Sequence, residues 1–203
     1  MNSIITISRQ YGSGGRFIAK LLAEKLGIPY YDNELITLAA KESGYSEAIF
    51  EKAEQLSTHS FLYSLSMFGS VDGMYGLPLA DKVYIAQSEI IKKCADNGPC
   101  VIVGRCSDFV LKEYKNVINF FVYYDEKSKI ERAVKYYGLD ADKAGSELKK
   151  KDKKRANYYN YYTSQSWGDY ENYHLSINSD AVGIESAVEI LASYAKAYDE
   201  KNK

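Results

Sequence analysis

The sequence predicts an α/β fold in which helices cover both faces of a parallel sheet. Short apolar runs alternate along the chain with amphipathic patterns of helical period. The strand-like runs occupy residues 3–8, 29–32, 100–104, 117–123 and 175–178. Those at 100–104 and 117–123 are almost continuously apolar. Such runs are typical of strands that are buried on both faces of a parallel sheet.

Helical patterns fill most of the intervals. The first begins at Gly14, carries Ile18 and Leu22 on its apolar face, and ends at the Gly27–Pro29 segment. Asn33 is suited to cap a second helix. Further helices are expected at residues 81–95, 128–137, 144–159 and 183–198. Patterning is weakest at 43–80, which is where an inserted substrate-binding piece is expected.

Composition limits the function classes. A chain of 203 residues fits one domain, and a net charge of −1 argues against binding to nucleic acid or to membranes through bulk charge. No apolar run is long enough to span a membrane. Three cysteines without CxxC spacing and the lack of a signal segment favour the cytoplasm. Two histidines argue against a histidine-based metal site.

A glycine-rich turn, "SRQYGSGG", joins the first strand to the first helix. Ligands of parallel sheets bind at the carboxyl ends of the strands. Glycines allow close backbone approach, and a helix N-terminus offers free N–H groups and a positive dipole. We therefore predict a phosphate-binding loop. Its residues are Arg9, Gly12, Ser13, Gly14, Gly15 and Arg16.

This loop lacks the lysine and hydroxyl of the standard motif G-x-x-x-x-G-K-[ST]. If Gly14 is the last loop glycine, Gly15 takes the lysine position. If Gly15 is the last, Arg16 takes it and Phe17 replaces the hydroxyl. Both registers lack the usual Mg²⁺ ligand. A guanidinium matches phosphate oxygens well, so we predict that Arg16 supplies the missing charge, with Arg9 as second choice.

Four segments together resemble the cytidylate-kinase-like branch of the nucleoside monophosphate kinases. They read "IITISRQYGSGGRFIAKLLAEKLGIPYYDNELI", "VIVGRCSDFVL", "KKKDKKRANYYNYYTSQSWGD" and "INSDAVGIESAVEIL". The resemblance implies a P-loop kinase-like parallel sheet in one domain over residues 1–203. It also implies a helical acceptor-binding insert at 43–80 and a helical lid at 144–168. Orthodox members carry G-x-x-G-x-G-K-G-T, from which this chain departs at Arg9, Gly15, Arg16 and Phe17.

The resemblance also implies residue roles. Asp32 resembles the aspartate that meets the acceptor nucleotide, and the alternative is a helix N-terminal carboxylate that faces water. Arg105, in the Gly104–Arg105 pair, resembles the arginine that holds the acceptor monophosphate. Arg132 resembles a second phosphate-facing arginine, and the alternative is a surface ion pair. The turn at Asn178 resembles the segment beside the donor base, or is an ordinary strand-end turn.

The basic run at residues 149–155 resembles the lid of the family. Lys151 and Arg155 are spaced i, i+4 and share one helix face, so both can converge on a triphosphate. Asp152 is placed to orient Arg155 or a metal-bound water. The alternative is a solvated helix face. The aromatic residues that follow are expected to pack the lid onto the core, with base stacking as the alternative. They are Tyr158, Tyr159, Tyr161, Tyr162 and Trp167.

The leading interpretation is transfer of the γ-phosphoryl group of ATP to a nucleoside monophosphate, CMP or dCMP above others. Arg16, Lys151 and Arg155 are the expected catalytic residues, and Mg²⁺ is expected without an identified side-chain ligand. Nucleotides are the expected partners. Two alternatives stay open. One is a regulator that binds nucleotides without turnover. The other is a small-molecule kinase with a non-nucleotide acceptor. The oligomeric state is not predicted.

Overall fold

The computed structural model describes residues 1–32, 35, 37 and 78–202. Of the predicted insert at 43–80, only residues 78–80 belong to this set. The helix expected after Asn33 falls outside it too, apart from Leu35 and Thr37, which are helical.

Five parallel strands form one sheet in the order β2-β3-β1-β4-β5. The strands are β1 Ile4–Arg9, β2 Tyr30–Tyr31, β3 Val101–Val103, β4 Val117–Tyr123 and β5 Leu175–Asn178. β1 lies at the centre, where Ile5 is paired with Val101 on one side and Ile118 on the other. The predicted parallel sheet is therefore confirmed, and every predicted strand is present.

Seven helices are described around the sheet. They are α1 Gly15–Leu26, α2 Leu79–Asp96, α3 Ser107–Val110, α4 Glu126–Tyr137, α5 Ala141–Thr163, α6 Ser179–Val182 and α7 Ile184–Lys201. The predictions missed α3, α6 and a 3₁₀ turn at Tyr170–Asn172, which have only three or four residues each. Such pieces are too short to show a hydrophobic period. No helix in the described ranges is long and apolar enough to cross a membrane.

Aspartates cap the N-termini of the two charged helices α4 and α5. The carboxylate of Asp125 accepts from the backbone N–H of Lys127 at the start of α4. The carboxylate of Asp140 accepts from the N–H groups of Asp142 and Lys143 at the start of α5. Each satisfies backbone donors that lack a partner within the helix. These caps set where the basic face of α5 lies relative to the sheet.

The core has two layers, one on each face of the sheet. On one face, Ile5 and Ile7 of β1 pack with Ile18 and Leu22 of α1 and with Leu191 of α7. On the other face lies a second cluster that includes Ile4, Ile91, Ile102 and Leu111. Because Val101 and Val103 of β3 belong to the first cluster and Ile102 to the second, the run of β3 is apolar throughout. This accounts for the pattern from which the parallel sheet was predicted.

The tyrosine-rich end of α5 and the segment that follows it pack onto the rest of the protein, which confirms the preferred interpretation for Tyr159, Tyr162 and Trp167. The hydroxyl of the buried Tyr159 donates to Asp108 at 2.6 Å. The ring of Tyr162 stacks on Tyr84, with centroids 4.0 Å apart and planes 6° from parallel. The indole N–H of Trp167 donates to the hydroxyl of Ser8 at 3.1 Å. These contacts hold the helix against the carboxyl edge of the sheet.

The Asp108–Tyr159 pair generates a pH prediction. Burial raises the pKa of Asp108, and the Tyr159 hydrogen bond offsets part of the rise. As pH rises, Asp108 therefore ionises at a lower pH in the unfolded chain than in the folded protein. The free energy of unfolding is unaffected by Asp108 below its ordinary pKa of 3.8, and it falls as pH rises above that value. We expect Asp108→Asn, which cannot ionise, to gain stability relative to the wild type between about pH 4 and about pH 7.

Urea unfolding at both pH values measures the difference. The exposed Glu200→Gln serves as the control, for which no such trend is expected. A stability difference for Asp108→Asn that is the same at both pH values contradicts the prediction.

Candidate active site

The glycine turn lies between β1 and α1 and is tightly enclosed. Gly12 and Gly14 have φ angles of 87° and 75°, in the left-handed region that favours glycine. A Cβ at Gly12 would lie 2.7 Å from Cγ of Lys129, and one at Gly14 would lie 2.7 Å from Cδ1 of Ile184. The Ser13 hydroxyl donates to the carbonyl of Gln10 at 2.9 Å. The loop is therefore held in one shape at the N-terminus of α1.

Arg9, the last residue of β1, runs across this turn toward β3. A Cβ at Gly15 would lie 2.6 Å from Cβ of Arg9, and one at Gly104 would meet its Nη1 atom. Burial lowers the pKa of Arg9 to about 9, and the positive charges of Arg155, Arg105 and Arg16 add to this effect. Within the described ranges, the guanidinium of Arg9 makes no salt bridge. It is an enclosed cation among other cations.

Arg16 is bound to Asp32. Its Nη2 atom lies 2.6 Å from Oδ2 of Asp32, and its Nε donates to the same oxygen at 2.9 Å. Asp32 is 5% exposed, and its Oδ1 accepts from the backbone N–H of Leu35 at 3.2 Å. Asp32 therefore faces an arginine and a backbone N–H. The structure brings together two residues to which the sequence had given separate roles.

The turn after β3 has a rare backbone conformation. Gly104, Arg105 and Cys106 have consecutive φ angles of 75°, 57° and 55°. The left-handed region costs a non-glycine residue roughly 1–2 kcal/mol. The guanidinium carbon of Arg105 lies 5.8 Å from the centre of the Tyr158 ring on α5. Strain of this kind persists where surrounding structure enforces it, often at functional sites.

Lys151 and Arg155 both lie over the ring of Tyr11, in the glycine turn. The Nζ of Lys151 is 4.1 Å from the ring centre and donates to the Tyr11 hydroxyl at 2.9 Å. The guanidinium carbon of Arg155 is 5.3 Å from the same centre, and its Nη1 donates to the carbonyl of Arg9 at 2.9 Å. The two side chains therefore share one face of α5 and lie against the predicted phosphate loop.

Asp152 and Lys129 also contact this loop. The Oδ1 of Asp152 accepts from the backbone N–H of Tyr11 at 2.6 Å, and its Oδ2 lies 3.2 Å from Nζ of Lys129. Lys129 is 9% exposed and also donates to Oε1 of Gln10 at 3.4 Å. Sequence reasoning missed Lys129. The only available signal was its i, i+4 spacing from Ala133, which places it on the inward face of α4.

Arg132 lies on the opposite side of the loop from the Arg105 turn. Its Nη2 would be 3.3 Å from a Cβ at Gly14, and its guanidinium carbon is 4.9 Å from the Tyr136 ring centre. Its Nε is buried without a hydrogen-bond partner among the described residues. Burial raises the pKa of the neighbouring Tyr124, as does a hydrogen bond with Asp180, while Arg132 opposes the rise. Arg132 therefore lies against the glycine loop, beside Gly14.

Side-chain oxygens near the loop are already engaged. The Ser13 hydroxyl donates to a backbone carbonyl and accepts from a backbone N–H. Asp32 binds an arginine, and Asp152 binds a lysine. Within the described ranges no three His, Cys, Asp or Glu side chains come together to hold a metal ion. These residues do not form a side-chain magnesium site.

The 2-3-1-4-5 parallel sheet, with a glycine loop after its first strand and a basic helix against that loop, defines the P-loop kinase fold. Residues 4–181 match the Cytidylate kinase-like family, and the chain belongs to it. No curated protein matches the sequence.

Three solved structures are similar over almost the whole chain. An uncharacterized protein from Eubacterium ventriosum ATCC 27560 is 29% identical, with a TM-score of 0.74 and coverage of 96% of this chain and 98% of that one. Shikimate kinase from Bacteroides thetaiotaomicron is 17% identical, with a TM-score of 0.55 and coverage of 97% and 99%. A gluconokinase from Sinorhizobium meliloti 1021 is 15% identical, with a TM-score of 0.53 and coverage of 100% and 98%. The last two show the fold alone.

The strained turn after β3 generates a stability prediction. Because Arg105 has a φ of 57°, Arg105→Gly should be more stable than Arg105→Ala by about 1 kcal/mol. Denaturant unfolding measures both variants. Lys150, inside α5, is the control position, where alanine should be the more stable replacement by about 1 kcal/mol. Finding alanine better at both positions would show that the turn holds no strain.

Proposed function

We propose that the protein transfers the γ-phosphoryl group of ATP to a nucleoside monophosphate, with CMP and dCMP as the first acceptors to test. The observation that carries the proposal is the meeting of cations beside the glycine loop. Arg155 donates to the backbone of Arg9, and the side chain of Arg9 reaches the turn that bears Arg105. Two phosphate-bearing substrates would supply the negative charge that such a group of cations needs. Membership of the cytidylate-kinase-like family supports the same chemistry.

Phosphoryl transfer requires little covalent chemistry from the protein, because it depends on in-line positioning and on neutralising charge on the transferred group. We assign the donor phosphates to the amides of residues 12–16, where a helix N-terminus favours anions. Lys151 and Arg155 are assigned to the transferred group, since both face the loop. Mg²⁺ would reduce the negative charge of the donor phosphates.

The acceptor is assigned to the β3 side of the loop. Arg105, at the end of β3, would hold its phosphate. Arg16 and Asp32, joined by their ion pair, would line the same side, so Arg16 is proposed to act there rather than over the donor phosphates. Arg132 is reassigned to the donor side, because it lies against Gly14 and beside the ring of Tyr136.

One experiment tests the proposal against both alternatives. A coupled assay would follow ADP release with CMP, dCMP, UMP, AMP, shikimate and gluconate as acceptors, while titration calorimetry measures ATP binding. Turnover with a nucleoside monophosphate supports the proposal. ATP binding without turnover on any acceptor would identify a regulator. Turnover on shikimate or gluconate alone would identify a small-molecule kinase, a reaction for which that fold is also used.

Arg105→Ala is expected to raise the apparent KM for the acceptor by about tenfold or more, because a hydrogen bond to a charged group is lost. The KM for ATP should change little. Lys112→Ala, at an exposed position after α3, is the matched control and should leave both values unchanged. An equal loss for ATP and acceptor would contradict the acceptor assignment.

The double variant Lys151→Ala with Arg155→Ala is expected to lower kcat by a larger factor than it changes either KM. The reason is that these cations are assigned to charge that develops during transfer, and such interactions act on turnover. Lys150→Ala with Lys153→Ala, which removes two exposed lysines of the same helix, controls for lost charge. Steady-state kinetics that match the wild type in the first double variant would show that the basic run is a solvated face.

A further inference from the structure

Arg9 and Gly15 stand in reversed places relative to the standard phosphate loop. Gly14 is the N-cap of α1 and Gly15 its first residue, which fixes the register of G-x-x-x-x-G-K-[ST] on this chain. In that register, Arg9 takes the position of the first glycine and Gly15 that of the lysine. The chain therefore has a long cationic residue where the motif has glycine, and glycine where the motif has the cation.

The two positions share one space. A Cβ on Gly15 would lie 2.6 Å from Cβ and 3.0 Å from Cγ of Arg9, and 3.2 Å from Cβ of Val122. Gly15 is helical and does not have a positive φ, so its backbone does not require glycine. Glycine in a helix costs up to about 1 kcal/mol relative to alanine. What requires glycine at this position is the Arg9 side chain, which fills the space from the strand side.

Arg9 is also an enclosed cation, and the residues that the structure describes give it no ion-pair partner. Its guanidinium lies against Gly104, and Arg155 approaches from the lid side to bind its carbonyl oxygen. Burial lowers its pKa most, and the charges of Arg155, Arg105 and Arg16 lower it further. No salt bridge to Arg9 is present in the described part of the chain. Charges enclosed in this way are normally paired, and the partner that fits a guanidinium here is an anion such as a phosphate.

We propose that Arg9 takes the place of the phosphate-loop lysine. It reaches the phosphates from the end of β1 and not from the first turn of α1. Its guanidinium lies between the glycine loop and the Gly104–Arg105 turn, which is where the transferred phosphoryl group would pass between donor and acceptor. The catalytic role of Arg9 rests on the proposed phosphoryl transfer. Its role as a phosphate contact does not depend on that proposal.

The first test uses Arg9→Met, which keeps much of the side-chain length and removes the charge. The melting temperature is measured with and without inorganic pyrophosphate, since a ligand that binds only the folded state raises it. The ligand-free variant should melt higher than the wild type, because an unpaired enclosed charge is gone. The pyrophosphate-induced shift should be lost, and kcat/KM should fall by about a hundredfold. A wild-type shift together with wild-type turnover would overturn the proposal.

The second test is a swap of the two residues. Gly15→Lys alone should lower the melting temperature, because the new side chain meets Arg9. Arg9→Gly alone should fold but lose the pyrophosphate shift. The double variant Arg9→Gly with Gly15→Lys should recover the melting temperature lost by Gly15→Lys and restore the pyrophosphate shift. A double variant that melts no higher than Gly15→Lys would contradict the claim that the side chains at residues 9 and 15 compete for the same space.

The two proposals fail in distinguishable ways. If the wild type turns over no acceptor, but pyrophosphate stabilises it and fails to stabilise Arg9→Met, the kinase assignment falls and the phosphate contact of Arg9 stands. If the wild type phosphorylates a nucleoside monophosphate and Arg9→Met does so equally well, the kinase assignment stands and the role of Arg9 falls.

Discussion

The parallel pairing of β1 between β3 and β4 is the constraint on which the site depends. In register, Ile7 lies opposite Val103 and Arg9 opposite Val122, so all three strands end at one edge. The glycine turn follows β1 there, and the strained turn of Gly104 to Cys106 follows β3. The helix that follows β4 carries Lys129 back over Gly12. One hydrogen-bonding pattern thus brings together residues that lie more than a hundred positions apart.

Electrostatics determines how this edge is used. Two carboxylates lie on different sides of the glycine turn: Asp32 binds Arg16 beyond β2, and Asp152 binds Lys129 and the Tyr11 N–H beneath α5. Neither forms a salt bridge with Arg9, which lies between them. The middle of the edge therefore keeps its positive charge. Collecting enclosed cations in this way lowers the stability of the ligand-free protein, a cost that is common where a site is arranged for a charged ligand.

The sequence was sufficient for the sheet, the longer helices and the glycine turn, because each depends on local periodicity and on residues near in the chain. It was not sufficient to predict which groups the side chains of the site contact. Arg16 follows the glycines directly and was therefore preferred as the phosphate cation, but its guanidinium forms an ion pair with Asp32, a contact that no local pattern indicates. Lys129 and Arg132 lie on a helix that reads as highly polar, and their contacts with Gly12 and Gly14 depend on how α4 packs. No local pattern records that packing.

The exchange of a lysine on α1 for an arginine on β1 changes more than the position of a charge. A lysine carries a compact, mobile ammonium, whereas an arginine presents a planar fork that matches phosphate oxygens in fixed geometry. Arg9 extends from a central strand with hydrogen-bonded neighbours on both sides, and it is confined by Gly15 and Gly104. A donor held in this way has little freedom to lose when phosphate binds, which is the condition for strong electrostatic stabilisation. The same confinement links the two positions, because a Cβ at residue 15 would collide with the Cβ and Cγ atoms of Arg9. A loop of this kind therefore reaches the lysine form only by changing both residues.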